Sequence, residues 1–243
     1  MKGKQRLIFR LVLILIILGV AYWQRGRIPV GGGDGEKPAA SSQGTAVLKK
    51  DPLGDSPKVK LVPSETEKVR GYDKLTGAVL VQHEDNDGDS FHVKAGGRQF
   101  ELRLYFVDAP EKYLSDRYER QRERVEEQGQ DLGGISPEQA VEVGNAAKMF
   151  SERELKGKTF TVYTYWEQVY DGDRYYGFVE LADGSYLGKK LVESGLARIH
   201  TKGPGSRERP VPTPAGKSFH QHREMLYDLE RKAKRGKVGA WSL

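Results

Sequence analysis

"QFELRLYFVDAPE", residues 99–111, is the stretch that decides the fold. It begins by alternating polar and apolar residues and then becomes apolar on both faces, which is typical of a strand in a sheet that curls into a barrel. The strand carries Arg103, and it ends in two carboxylates, Asp108 and Glu111, on either side of Ala109-Pro110. The end of this strand is therefore the first place to look for a functional site.

A second acidic segment, "DNDGDS" at residues 85–90, forms a tight turn between two predicted strands. It is not an EF-hand loop, because that spacing requires an acid at His83 and another at Lys94. A turn of Asp, Asn and Gly also forms for backbone reasons alone. Paired with the first stretch, however, Asp89 at the start of one strand and Asp108 at the end of another are predicted to meet at one rim of a small barrel and bind a hard divalent cation.

The neighbouring residues fit metal-assisted hydrolysis of a phosphodiester. Pro110 favours an extended Ala109, which aims the Ala109 carbonyl in one direction as a third ligand. Glu111 is then the candidate general base for the attacking water. Arg103 is the candidate donor to the charge that builds on the phosphate. Because Arg103 and Asp108 have opposite strand parity, they converge only if the chain bends before Asp108.

The pattern along the chain predicts a small barrel with helices packed around it. Ser136-Pro137 with Gln139 supplies a helix cap, a proline at the first position and a capping-box residue. We predict an α+β, barrel-dominated fold: a five-stranded barrel of the oligonucleotide-binding (OB) type with about three helices. The predicted strands are residues 78–82, 90–94, 99–107, 159–166 and 174–181, and the predicted helices are 137–156, 188–199 and 219–236.

Residues 112–134 have no apolar stripe, and their charges alternate in sign. The simplest interpretation is a solvated charged helix or loop. The alternative is a mobile flap beside Glu111. Three histidines, His200, His220 and His222, are predicted to be ordinary rather than metal ligands.

Composition narrows the class of protein only a little. The chain has 243 residues, no cysteine, and 40 Lys and Arg against 34 Asp and Glu, for a net charge of +6. Disulfides and thiolate sites are therefore excluded. The modest basic excess suits a polyanion such as nucleic acid, or an anionic membrane surface.

The N-terminus predicts export. Lys2, Lys4 and Arg6 precede an apolar run of about 13 residues that ends at Trp23, which is shorter than the roughly 20 residues of a full membrane span. Both a cleaved signal and a membrane anchor remain open, since Tyr22 and Trp23 resemble an interfacial belt. We predict three parts: a signal or anchor at residues 1–27, a flexible linker at 28–70 and a folded domain at 71–243.

Four motifs together resemble the staphylococcal nuclease (thermonuclease) family. They are "DGDS", "RLYFVDAPE", "ADGSYLGKKLVESGLARI" and "GKVGAWS", in this order, and the resemblance covers residues 71–242. It implies an OB-fold barrel and calcium-dependent cleavage of DNA and RNA. It also implies the site residues, namely calcium ligands at Asp89, Asp108 and the Ala109 carbonyl, an acid acting through water at Asp87, the general base Glu111 and the transition-state cation Arg103.

One departure from the family concerns the fifth strand, where a Tyr-Gly-Arg motif supplies a second cation. Here the strand reads "DRYYGFVEL", with Tyr176 or Phe178 at the arginine position, depending on register. Arg174 lies two residues before Tyr176, within reach of the same place, and is the candidate substitute. Tyr175 and Tyr176 are the candidate residues for stacking on a base.

We expect an exported, membrane-tethered or secreted, calcium-dependent nuclease that acts on DNA or RNA and is a monomer. Abundant extracellular calcium suits a weak site of this kind. The first alternative is a binding module that holds nucleic acid or another polyanion at the cell envelope without cutting it, and the missing arginine favours it. The second alternative is a tethered structural protein, which rests only on the N-terminal segment and linker.

Overall fold

The computed structural model describes residues 67–170 and 172–243. The predicted N-terminal segment, residues 1–27, and nearly all of the predicted linker lie outside the described residues. The strands are β1 (Glu67–Val69), β2 (Tyr72–Leu80), β3 (Ser90–Ala95), β4 (Arg98–Leu104), β5 (Val107–Asp108), β6 (Phe160–Thr164), β7 (Arg174–Glu180) and β8 (Arg198–Ile199). The helices are α1 (Glu119–Asp131), α2 (Pro137–Leu155), α3 (Leu187–Glu193) and α4 (Phe219–Gly236), followed by a 3₁₀ turn at Gly239–Ser242.

The fold is a mixed α+β arrangement dominated by strands. Five of them pair in a ring, because β2 pairs with both β3 and β6 while β4 and β7 complete the circuit in the order β2-β3-β4-β7-β6. The pairing within the ring is shortest between β2 and β3, where Val79 pairs with Lys94 and Leu80 pairs with Val93. Strands β4 and β7 run parallel, and the other pairs in the ring are antiparallel.

The predicted strand over residues 99–107 is broken, and the break is what positions its acidic end. Strand β4 ends at Leu104, and Phe106 adopts a left-handed backbone with φ 69°. After this bend, β5 pairs with β8 in a separate two-stranded sheet, so that Asp108 faces Arg198. Phe106 is held in place because its N–H donates to the Lys202 carbonyl and its own carbonyl accepts from the His200 N–H. The bend that the strand parity demanded is therefore present.

The cap of α2 forms as the sequence predicts. Ser136 accepts a hydrogen bond from the Gln139 N–H, the Gln139 side chain accepts from the Ser136 N–H, and Pro137 occupies the first position. The same capping box opens α4, with Ser218 and Gln221.

The helix predicted over residues 188–199 is too long. Helix α3 ends at Glu193, and the last two predicted residues form β8 instead. Gly195 ends the helix because it adopts a left-handed conformation with φ 65°, and the N–H of Leu196 turns back to the Leu191 carbonyl.

The described residues form four helices rather than about three, because α1 lies in the charged stretch that precedes Gly134. This helix is not simply solvated. Val125, Gln128 and Leu132 are completely buried, while the charged residues between them stay at the surface. Two apolar residues seven positions apart fix one face of the helix on the protein.

The apolar core fills the ring and continues under the helices. Phe91, Leu102 and Val162 line it from the strands, and Ala147 and Leu191 cover it from α2 and α3. None of the helices within residues 67–170 and 172–243 combines the length and the apolar character that crossing a bilayer requires.

Helix α2 packs against the backbone that follows β5, and Gly144 makes this approach possible. A Cβ atom at Gly144 would lie on the carbonyl oxygens of Pro110 and Glu111, closer than real Cβ atoms come to other atoms. We predict that Gly144→Ala lowers the free energy of unfolding by about 1–3 kcal/mol, because the backbone clash outweighs the roughly 1 kcal/mol that alanine gains in a helix.

Urea unfolding of the purified full chain measures this difference. Glu142→Ala, an exposed change on the same helix, is the control and is expected to stay within about 0.5 kcal/mol of wild type. A Gly144→Ala variant as stable as wild type contradicts the packing described here.

Candidate active site

Arg103 joins the acidic residues of the two sequence motifs. In the sheet it faces Ser90 of β3, the residue after Asp89. Its Nη2 lies 2.5 Å from Asp108 Oδ1 and 3.1 Å from Asp89 Oδ2. All three side chains are nearly or completely buried, with 10% of the Arg103 side chain exposed. The structure thus brings the predicted cation ligands, Asp89 and Asp108, together on one guanidinium.

Asp108 receives four side-chain donors. Oδ1 accepts from Arg103 and, at 3.3 Å, from Arg124 Nη2. Oδ2 accepts from Gln128 Nε2 at 3.0 Å and from Arg198 Nε at 2.9 Å. Burial alone would raise the pKa of Asp108, but Arg103 and these other donors outweigh it and hold the pKa below its usual value.

Asp87 shapes the turn that carries Asp89. Its Oδ1 accepts hydrogen bonds from the N–H groups of Asp89, at 3.2 Å, and Ser90, at 2.7 Å. Gly88 has no room for a side chain, because a Cβ would lie 2.8 Å from the Cβ of Ala109. Asp87 and Gly88 therefore serve the backbone of the turn, as the alternative interpretation expected. The same turn also places the Asp89 carboxylate inside the site.

Burial raises the pKa of Asp87 and raises that of Asp89 further. Arg103 opposes both shifts, while the charges of Asp87 and Asp108 add to the shift at Asp89. The folded protein therefore works against the ionised form of Asp89 when no further cation is present.

Glu111 is held at its backbone and at its carboxylate. Its N–H donates to Gln128 Oε1 at 3.1 Å, and its Oε1 lies 3.2 Å from Arg124 Nη1. Burial raises the pKa of Glu111; Arg124 opposes this shift, and the nearby Asp87 and Asp108 add to it. The predicted ligand carbonyl of Ala109 accepts from Gln128 Nε2 at 3.2 Å.

Arg174 contacts Ser90, the residue after Asp89. Its guanidinium donates to Ser90 Oγ at 2.6 Å and lies 3.1 Å from Glu101 Oε1, so it is paired with a carboxylate outside the predicted constellation. Its charge opposes the raised pKa of Asp87, after the larger effects of burial and of Arg103.

The two candidate stacking tyrosines point to opposite faces of β7. Tyr176 faces Arg103 in the parallel pairing and stacks on Tyr105 with ring centres 5.2 Å apart. Tyr175 packs edge-on against Phe100 and Trp166, away from Arg103. Of these two rings, Tyr176 is the one beside the acidic site.

Sequence reasoning missed three residues that contact Asp108, namely Arg124, Gln128 and Arg198. Two of them belong to α1, whose charged sequence hides its buried face. The available signal was Val125 and Leu132, an apolar pair seven residues apart in an otherwise polar stretch. Arg198 was included in a predicted helix, and its role appears only once β8 pairs with β5.

Glu127, Asp131 and His200 form an exposed group whose ligand atoms all lie within 4.8 Å of one another. Arg198 Nη1 already bonds both carboxylates, at 3.0 Å and 2.6 Å, and so offsets their charge. We therefore keep the calcium prediction at Asp89, Asp108 and Ala109.

Comparison with known proteins identifies the class of protein. The family model for staphylococcal nuclease homologues matches residues 101–243, more than half of the chain, and the chain belongs to this family. The family is one of nucleases and nucleic-acid-binding proteins, and it is generally calcium-dependent. A search among curated proteins finds no match for this chain. The matched region contains Arg103, Asp108 and Glu111, whereas Asp87 and Asp89 precede it.

The residues at this site fit a hard divalent cation. Asp89 Oδ2 is buried and, among the described residues, has no hydrogen-bond partner; Arg103 lies close to it without the alignment of a hydrogen bond. Carboxylate and carbonyl oxygens are the ligands that calcium prefers. Asp89, Asp108 and the Ala109 carbonyl would hold the ion. It would compete with Arg124 and Gln128 for Asp108, and with Gln128 for the Ala109 carbonyl.

The raised pKa of Asp89 predicts a stability effect in the absence of metal. A carboxyl group whose pKa is higher in the folded than in the unfolded state favours folding at low pH, and this contribution is lost as the pH rises through the folded-state pKa. We expect Asp89→Asn to raise the melting temperature at pH 7 in chelator by a few degrees, since about 1 kcal/mol shifts a domain of this size by about 2–4 °C. Arg103 keeps Asp108 as its partner.

Thermal unfolding followed by circular dichroism between pH 3 and pH 8 checks this prediction. The difference from wild type should shrink toward pH 3, where Asp89 is neutral in both states. Asp116→Asn, which removes an exposed aspartate, is the control and should show no such change. A lower melting temperature for Asp89→Asn at pH 7 contradicts the prediction.

Proposed function

We propose that this protein is a calcium-dependent nuclease that hydrolyses phosphodiester bonds of DNA or RNA. The observation that carries the proposal is the constellation around Arg103. Two carboxylates lie on its guanidinium, one from the residue before β3 and one from β5. Arg124 contacts both Asp108 and Glu111 and so links the proposed base to this pair. Membership of the nuclease family supports it.

We also propose that the ring of five strands is an OB-type barrel whose face beside Tyr176 accepts the nucleic acid. The five-strand pairing order supports this assignment. Tyr176 next to Arg103 would place a base-stacking ring beside a phosphate-binding cation.

In the proposed reaction, Glu111 accepts a proton from the attacking water as the water oxygen bonds to phosphorus. The bond from phosphorus to the leaving sugar oxygen breaks, and that oxygen takes a proton from the solvent. Arg103 donates its planar fork to the charge that develops on the phosphate. Calcium at Asp89, Asp108 and the Ala109 carbonyl supplies positive charge that offsets a phosphate oxygen. The raised pKa of Glu111 suits a base, because a stronger base accepts the proton of water more readily. Gln128 fixes the backbone of Glu111 and so sets where its carboxylate lies.

A binding module without catalysis is the rival function. The observation that favours it is at β7, where Arg174 is engaged with Glu101 and Ser90. The cluster of Asp87, Asp89 and Asp108 argues against it. Their pKa values are shifted, upward for Asp87 and Asp89 and downward for Asp108, and a pure binding surface does not need such a cluster.

Export remains part of the proposal. It rests on the basic start and apolar run of residues 1–27, followed by a linker rich in glycine. A tether or a secreted form would both place the domain where calcium is plentiful.

The central prediction is cleavage that needs calcium and Glu111. We expect the purified full chain to cut single-stranded DNA and RNA in calcium and not in chelator. Glu111→Gln should lower the rate by about 10²–10⁴-fold, because the base is lost. Calcium affinity, measured by calorimetry, should change little, since Glu111 is not a proposed ligand.

The control for the central prediction is Glu119→Gln, an exposed change at the start of α1. If wild type binds DNA in calcium but does not cut it, the nuclease proposal is wrong and the binding module stands. Loss of calcium binding in Glu111→Gln would reassign Glu111 from base to ligand.

Arg174 is proposed as an additional cation, which acts from the Asp89 side. We predict that Arg174→Ala lowers the cleavage rate by at least about tenfold, less than the roughly 10²–10³-fold loss expected for removing a direct transition-state donor such as Arg103. Arg98→Ala, which removes a cation stacked on Trp166 at the start of β4, is the matched control. Unchanged activity in Arg174→Ala rejects this role.

A further inference from the structure

Helix α1 brings one arginine to both ends of the site. Arg124 Nη2 lies 3.3 Å from Asp108 Oδ1, and Nη1 lies 3.2 Å from Glu111 Oε1. A single guanidinium therefore spans the proposed cation ligand and the proposed base. It comes from a segment of the chain that the acidic motifs do not include.

Two guanidinium groups converge on one oxygen. Arg103 and Arg124 both point an Nη2 at Asp108 Oδ1. Asp108 offsets the repulsion between these two like charges. Arg103 has a second carboxylate partner in Asp89, and Arg124 has one in Glu111. An incoming anion with several oxygens, such as a phosphodiester, matches the two planar forks.

Arg124 is the arginine that is able to move. Its side chain is 45% exposed, against 10% for Arg103 and 4% for Arg198. Its distance to Asp108 is the longest of the four donors. Because nearly half of the Arg124 side chain is exposed to water, its ion pairs are exchanged for another anion more easily than those of the buried arginines.

We propose that Arg124 is a further substrate-contacting residue, which turns from Asp108 and Glu111 to a phosphate of the nucleic-acid chain and donates its fork to that phosphate. The expected effect of Arg124 on the cleavage rate rests on the proposed nuclease function. The contact itself can be measured without cleavage, which keeps the two proposals separable.

The kinetic test compares three variants in calcium. Arg124→Ala is expected to lower kcat by about 10²–10³-fold, as for other lost transition-state donors, with a smaller change in KM. Arg124→Lys should recover part of this loss, because it keeps the charge without the planar fork. Arg120→Ala, one helical turn earlier and exposed, should stay within about twofold, as a surface change away from the site does.

A rate profile against pH excludes a purely indirect role. Arg124 also opposes the raised pKa of Glu111, so its removal moves the acidic limb of the profile to higher pH. If Arg124→Ala reaches the wild-type rate on the alkaline plateau, Arg124 only keeps Glu111 ionised and the proposal is overturned. A loss that persists on the plateau supports it.

The binding test uses a short single-stranded DNA in calcium, in the Glu111→Gln background, across a range of salt concentrations. Each phosphate contact contributes about 0.7 to the slope of log affinity against log salt for single strands. Arg124→Ala should reduce the slope by about 0.7, and Arg120→Ala should leave it unchanged. Melting curves confirm that each variant is folded.

The outcomes separate the two proposals. An unchanged slope in Arg124→Ala, or an equal drop in Arg120→Ala, overturns the specific contact. If wild type fails to cut DNA but the slope still falls only in Arg124→Ala, the nuclease proposal fails and the Arg124 contact stands.

Discussion

The buried guanidinium of Arg103 is the interaction on which the site depends. A charge removed from water is costly unless anions and hydrogen bonds compensate it. Asp89 and Asp108 supply the anions, from the start of β3 and from β5. Because both carboxylates lie on Arg103, the acidic turn before β3 and the end of the broken strand meet at one place. The strand order of the ring puts β3 and β7 on either side of β4, which brings Ser90 and Tyr176 next to the same residue.

The bend at Phe106 and the docking of α1 complete this arrangement. Without the left-handed residue, alternation along β4 would send Asp108 to the face opposite Arg103. Helix α1 then closes the site with a buried amide, Gln128, which donates to Asp108 and to the Ala109 carbonyl and accepts from the Glu111 N–H. One side chain therefore contacts all three residues that carry the proposed ligands and base in this turn, and the arginines add further contacts to Asp108 and Glu111.

The electrostatics of the site oppose stability and favour function. Burial raises the pKa of Asp87 and of Asp89, and the charge of Arg103 opposes this rise at both. A site of this kind is stabilised when a cation binds, alone or together with an anionic substrate, because the cation offsets the charge of the carboxylates. The same imbalance explains why so many guanidinium groups gather there. Arg103 and Arg198 are fixed by burial, whereas Arg124 stays half exposed and adaptable.

The sequence by itself determined the elements with strong local signals and several of the side chains that meet at the site. A capping box placed α2, an amphipathic pattern placed α4, and turn residues and alternation placed β3 and β7, because these signals act within a few residues. The four motifs together were sufficient to indicate the family. Only the tertiary structure decided that α1 docks, that Arg198 lies on a strand, and that Arg124 and Gln128 reach Asp108. These contacts join residues 16 to 90 positions apart, and their partners are chosen by the burial of one carboxylate, which no local pattern records.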